Sequence, residues 1–247
     1  MQTIDQVIQQ LEAITEDCCR RQSPQAYFAV LYLLMTKAVR QGIQTGYFED
    51  GPRMERLDVL FAGRYVQAWE SYQKQQPTTA SWQLALDAAT HNNLVVLQHL
   101  LLGINTHINL DLAIAAAQTS PGQSIFALQT DFDRINTLIT QLTDTIQQRL
   151  ETIAWPMKLL GKIANGKEKA VLAFSITKAR QAAWANAVTL ALLPPNQHAG
   201  HLQIMDTAVA QIGAKIMQPG KLVGWLLKII RWFEPKSVTQ TVEKLSL

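Results

Sequence analysis

The chain is poor in the features that mark most enzyme classes. It has only two cysteines among 247 residues, the adjacent Cys18 and Cys19, which form neither an ordinary disulfide with each other nor a metal-ligand framework. A reducing compartment suits that usage. The N-terminal stretch carries Asp5, Glu12, Glu16 and Asp17 and lacks the basic start and apolar centre of a secretory leader, so a cytoplasmic protein is expected. No uninterrupted apolar run reaches the roughly 18 residues that read as a bilayer span. Gly-rich phosphate loops, Cys-x-x-Cys, His-Glu-x-x-His and Gly-x-Ser-x-Gly are all missing, which removes support for common nucleotide-binding, zinc-protease and hydrolase readings. Sustained period-two alternation is missing as well, and with it any expectation of strands.

Net charge is also small, at +3, and does not indicate a nucleic-acid partner. Its distribution is uneven. Residues 1–150 hold 10 Lys and Arg against 14 Asp and Glu, leaving 12 against 5 of the totals of 22 and 19 for residues 151–247. The basic C-terminal part interleaves lysines with tryptophans, in "WPMKLLGKIANGKEKAVLAF" and "GKLVGWLLKIIRWFEPK". A basic amphipathic helix with Trp can lie on an anionic membrane; it can equally be a docking helix with Lys221, Lys228 and Arg231 along its solvated edge. Over 221–233 the spacing places Leu222, Trp225, Leu226, Ile229 and Phe233 on the face turned to the core or to a membrane.

What remains is helical patterning. Apolar residues recur at three- and four-residue intervals between short Pro and Gly breaks, which predicts an all-α, single-domain bundle of about eight to ten helices over 1–247. The expected helices cover about 3–20, 24–45, 52–75, 81–118, 124–151, 157–164, 167–192, 200–214 and 220–233. No break is long or polar enough for a linker, and there is no internal repeat.

The most informative stretch is "HLLLGINTHINLDLAIAAA", residues 99–117. Apolar side chains cover nearly every direction of this helix, which predicts a central buried element. Yet His99, Gly103, His107 and Asp111 follow one another at four-residue steps and form a polar seam inside the protein. Glycine costs about 1 kcal/mol in a helix interior relative to alanine, so Gly103 implies close approach of a backbone, side chain or ligand, or else a break in the helix. Asn105 and Asn109 form a second ridge. Buried, their amides need inter-helix partners or a polar ligand group.

Helix 52–75 supplies a second set. Asp50 or Gly51 caps it, and Pro52 occupies the first turn. Met54, Leu57, Phe61, Ala68, Trp69 and Tyr72 make its apolar face, and Asp58 and Tyr65 fall within the same arc. Glu55 and Arg64 flank that face, with Arg53 beside Arg64. A carboxylate aimed at a core must find a cation, a metal or several donors. Glu55, Asp58, His99, His107 and Asp111 are therefore candidate ligands for a divalent iron, manganese or zinc. The same groups suit acid/base chemistry: His107 as base, Asp111 as its orienter, and Asp58, Glu55 and Tyr65 as further catalytic groups. Arg64, Asn105 and Asn109 are candidate substrate contacts. Arg180 and Trp184, at i and i+4, would add an anion anchor and a pocket floor, with Asp58 or Asp111 as alternative partners for Arg180. His198 and His201 in "NQHAGH" follow Pro194-Pro195 in an expected turn, without a nearby carboxylate or Cys, and His91 lies off the seam.

"RMERLDVLFAGRY", "HLLLGINTHINLDLAIA" and "ARQAAW" together resemble a bacterial and fungal family of unknown function, over most of the chain. The matching positions are Arg53, Glu55, Asp58, Arg64, Tyr65, Gly103, Asn105, His107, Asn109, Asp111, Arg180 and Trp184. The resemblance implies that these positions matter and leaves the chemistry open. His-x-x-x-Asp also occurs in helical zinc-dependent phospholipases and nucleases, whose additional histidine ligands have no counterparts here.

Two readings follow. One is an enzyme with an interior His/carboxylate site, acting on an apolar or lipid-like small molecule. The other is a non-catalytic binding or interaction module whose seam is a hydrogen-bond network fixing helix register.

Overall fold

The computed structural model describes residues 2–135, 138, 148–150, 153 and 176–246. The expected helix 157–164, residues 136–137, 139–147 and 151 of the expected helix 124–151, and the start of 167–192 lie outside them. Among the described residues the protein is all-α, with no strands. The helices are α1 (Ile4–Arg20), α2 (Gln25–Gln44), α3 (Gly51–Gln73), α4 (Ala80–Asp87), α5 (Val96–Thr106), α6 (Ala113–Thr119), α7 (Ile176–Leu192), α8 (Pro195–Met217), α9 (Lys221–Phe233) and α10 (Val238–Ser246). A π-helical turn, His107–Leu112, joins α5 to α6 without a break. Short 3-10 segments occupy Ala88–Thr90 and Gly122–Leu128.

Local chemistry sets the starts of these helices. Thr3, Asp50 and Thr79 each accept a bond from the backbone N–H three residues on, at Gln6, Arg53 and Trp82. Such N-caps are worth about 1 kcal/mol each. Carboxylates from distant elements do the same work at helix entries. Glu55 accepts from the Ile4 N–H at 3.1 Å, and Asp206 accepts from Ala80 and Ser81 at 2.7 and 2.9 Å. Asp131 accepts from Glu49 and Asp50 at 2.7 and 3.0 Å, and Glu234 accepts from Val96 at 2.9 Å. Each sets a carboxyl group at the positive end of a helix and ties two elements together.

Packing follows the apolar faces. α2 lies along α1, α6 along α7, and α8 crosses α4 and α5. One core gathers α1, α2, α3, α4, the start of α5 and α10; the other gathers α3, α6, the segment after Gly122, α7 and α8. By length and composition Val96–Thr119 could cross a membrane, but 78% of its most apolar 18-residue stretch is buried inside this fold. It is the central element the patterning predicts.

Four expectations change. Helix 81–118 is divided, because α4 ends at Asp87 and the "THNN" stretch turns before α5. α8 begins at Pro195, with proline in its first turn, so His198 and His201 sit on a helix. There, His198 meets the Leu193 carbonyl and His201 the Asn186 side chain. α10, absent from the sequence reading, packs Val238, Thr241, Val242 and Leu245 inward at helical spacing. On α9 the buried residues are Val223, Leu226, Leu227 and Ile230, seated on Val95 and Leu97, while Leu222, Trp225 and Phe233 are exposed. The apolar arc of α9 is wider than the strip its neighbours can cover, and packing takes the Val223–Ile230 side.

Candidate functional site

The π turn is the local irregularity from which the site is built. Widened turns of this kind are rare and concentrate at functional positions. This one carries His107 and Asp111, both buried, with the His107 Nδ1 3.0 Å from Asp111 Oδ2. Two further donors complete the carboxylate. Arg64 Nε donates to Oδ1 at 2.8 Å, and Trp82 Nε1 donates to Oδ2 at 2.9 Å. A buried charge is tolerable when paired and bonded in this way. The cation for Asp111 is thus Arg64, whose side chain stays 27% exposed, and not Arg180.

Aromatic rings enclose the imidazole. Phe61 stacks on it, with centroids 3.6 Å apart and planes 7° from parallel, and Tyr32 meets it edge-on at 4.4 Å. Phe28, Tyr65 and Trp82 stand 5.6, 6.1 and 6.0 Å away. Gly103 explains how α2 comes so near. A Cβ there would lie 2.4 Å from the Phe28 ring, so the close approach foreseen at this glycine is made by Phe28.

Several buried polar atoms lack hydrogen bonds among the described residues: His107 Nε2, Tyr32 Oη and Tyr65 Oη in this box, and Thr36 Oγ1 on α2 and Arg53 Nε and Asp58 Oδ2 on α3. The Thr36 and Tyr32 hydroxyls do not meet in hydrogen-bond geometry. Native interiors leave few such groups, and each calls for a reason. Burial, reinforced by the Glu55 charge, pushes the Asp58 carboxyl up to about 8, so it is largely protonated at neutral pH. Burial also pushes His107 down, against the opposing pull of Asp111, and keeps the imidazole neutral. Burial and the charges of Asp58 and Asp111 raise the Tyr32 phenol. Tyr32, edge-on to His107 and within range of the Asp58 charge, thus stands between a neutral imidazole with an unused nitrogen and a neutral carboxylic acid, a proton acceptor and a proton donor set apart by environment.

The other expected site residues stand elsewhere. Glu55 caps α1. His99, which burial takes down to about 4, packs edge-on against Tyr27 at 5.8 Å and borders a void of about 20 Å³ beside Tyr65, Trp82 and Gly103. That is room for about one water. Asn109 donates to Asn105, and Asn105 donates to the Val209 carbonyl at 2.9 Å, fastening the π-turn helix to α8. Arg180 donates to the Phe132 carbonyl and lies over the Phe132 ring, which Trp184 also meets. Arg53 binds Asp131. The expected metal set of His107, Asp111, Asp58, Glu55 and His99 does not assemble, and among the described residues no group of three or more His, Cys, Asp or Glu is placed to hold a metal ion. Helical spacing put these side chains inward but said nothing of which way neighbouring helices would draw them.

Sequence reasoning missed Trp82, Tyr32 and Phe28, and treated Phe61 only as core. α2 did carry a signal, since Tyr27, Phe28 and Tyr32 crowd phenolic and phenyl rings into a helix greasy enough to be buried. Asp131 gave none, although it is fully buried and receives bonds from two N–H groups and Arg53, which hold it below the usual carboxylate range despite burial.

No curated protein and no solved structure matches the chain. A protein-family model does, over residues 4–219, a span that contains the π turn, the Asp111 network and the aromatic box. The chain belongs to that family, DUF5995, a family of unknown function.

Proposed function

We propose that the protein is an acid/base enzyme in which His107 is the general base, acting on a small, largely apolar molecule with an acidic head group. The observation that carries this reading is the asymmetry of one imidazole. Nδ1 is fixed by Asp111, which is itself fixed by Arg64 and Trp82, while Nε2 is left with a free lone pair. A carboxylate that orients an imidazole through one nitrogen prepares the other to take a proton. Asp58, neutral at physiological pH, supplies the acid. The guanidinium of Arg64 spends only Nε on Asp111, and its remaining N–H groups suit a carboxylate or phosphate near the surface. Phe61, half-buried and stacked on His107, must turn aside to admit substrate, and the rings behind it form an apolar wall. Among the described residues the carboxylates and histidines that would bind a metal do not converge, and the proposed proton transfer needs none.

The test is incubation of the purified chain with a lipid and small-molecule extract, followed by untargeted mass spectrometry, beside a folded His107→Gln variant. Consumption of an apolar acid by the parent and not by the variant is the expected result. Equal consumption by both, or none by the parent, contradicts the reading.

One observation favours the alternative, a non-catalytic module. The Asp111 carboxylate already receives three bonds and Asn105 is bonded to α8, so much of the seam does structural work. In that case His107→Gln should destabilise by about 1–3 kcal/mol with no chemical phenotype.

A further inference from the structure

The outer face of α9 is a feature that the interior site leaves unused. Its inner strip, Val223, Leu226, Leu227 and Ile230, is buried on Val95 and Leu97. The other side carries Leu222, Trp225 and Trp232 at 52%, 59% and 87% exposure, with Ile229 between them and the exposed Lys221 and Lys228 along one edge. At about 100° per residue, the two tryptophans lie at the centre of this face and the lysines within about 60° of them. Large apolar side chains exposed in a row are uncommon on a folded protein and mark a partner surface.

We infer that this face docks on an anionic lipid surface. The chemistry of the row selects that occupant. Trp is the side chain that favours the boundary between head groups and acyl chains, and lysines at the edge of an apolar strip pair with lipid phosphates while their stems cover apolar surface. The sequence around α9 has the same sign, since residues 215–246 carry 6 Lys and Arg against 2 Asp and Glu. That excess favours an acidic surface over a second copy of the same basic helix. The helix is also firmly mounted. Gly220, at φ 82°, turns the chain into α9, and Glu234 at its far end joins the Arg231 guanidinium to the Val96 N–H of α5. A docked α9 would therefore hold the His107 helix at the lipid boundary, where apolar molecules with acidic heads reside. The docking itself does not depend on the acid/base reading. α9 also lies beyond the family match, which ends at residue 219.

The experiment is co-sedimentation of the full chain with vesicles of phosphatidylcholine alone and of phosphatidylcholine with phosphatidylserine. Two variants accompany it, Trp225→Ser with Trp232→Ser, and Lys221→Glu with Lys228→Glu. All four side chains are exposed, so folding should survive, and circular dichroism checks it. The parent should sediment with the anionic vesicles only, and less so as salt rises. Charge reversal should weaken binding by about 30-fold or more, at about fivefold per lysine, and the tryptophan variant should weaken it at least as much. Failure to sediment with anionic vesicles overturns the inference, as does binding unchanged by the tryptophan variant. A concentration-dependent dimer in sedimentation velocity that the tryptophan variant abolishes would overturn it in favour of self-association. Loss of lipid binding with extract conversion intact would separate this proposal from the enzymatic one.

Discussion

Asp111 and Asp58 are both buried aspartates, one on the π turn and one on the α3 face that meets it, and the fold treats them in opposite ways. Around Asp111 every need is met: an arginine, an indole N–H and an imidazole N–H converge on its two oxygens. Around Asp58 little is offered. One oxygen makes no hydrogen bond among the described residues, and burial raises the carboxyl until it keeps its proton near neutral pH. Buried acids can be stabilised by partners or by neutralisation. This protein uses both, and the difference separates a group that holds an imidazole in place from one that can give up a proton.

The largest effect should come from removing the satisfied member. Asp111→Ala leaves Arg64, the Trp82 indole and His107 without their shared acceptor and should cost about 3–5 kcal/mol in urea unfolding at pH 7. A loss below about 1 kcal/mol would mean that the network relaxes into water and that the contrast with Asp58 is false.

Asp58→Asn should act through pH. In the folded chain the carboxyl keeps its proton up to about 8, whereas in the unfolded chain it releases it near its ordinary value of 3.8. Unfolding between those values releases a proton, so the contribution of Asp58 is complete below the lower value and is lost as pH rises through the upper one. From pH 5 to 8 the parent should lose on the order of 2–4 kcal/mol relative to the Asn variant. His99, held down to about 4, works the other way, its contribution falling as pH drops from 6.5 toward 4, and the difference between parent and variant cancels it. Parallel stability curves for the two proteins would show Asp58 to be ionised and paired.

Smaller effects should distinguish used from unused donors. Trp82→Phe deletes a bond to Asp111 and should cost about 1–2 kcal/mol, whereas Tyr32→Phe deletes a hydroxyl without one and should change thermal stability by less than about 0.5 kcal/mol or raise it. Equal losses would place a hidden partner on Tyr32.

Most of the scaffold can be read from the sequence because its signals are local. Asp50 and Pro52 mark the start of α3, three- and four-residue spacing turns Asp58, Tyr65, His107 and Asp111 inward, and Gly103 announces close approach. What escaped depends on contacts between distant segments. Trp82 reaches Asp111 across 29 residues and Asp131 reaches Glu49 across 82, and no periodicity encodes either pairing. The π turn escaped for a different reason, since the seam residues fit a regular helix equally well. α10 escaped because "SVTQTVEKLS" is rich in residues of low helix propensity, whose helix is sustained by packing on α2. On α9 the spacing left two directions open, core or membrane, because its apolar arc exceeds what its neighbours cover, and packing buries the Val223–Ile230 side.

The central claim is that His107 is a neutral base with Nε2 available, and the most direct measurement is the tautomer and protonation of that ring, by proton-coupled nitrogen NMR on protein labelled at histidine. The expected spectrum shows a proton on Nδ1, directed at Asp111, an unprotonated Nε2, and a ring still neutral at pH 6.5, where an ordinary histidine is about half charged. A proton on Nε2, or an imidazolium at pH 7, would contradict the account, because the nitrogen assigned to take the proton would already carry one.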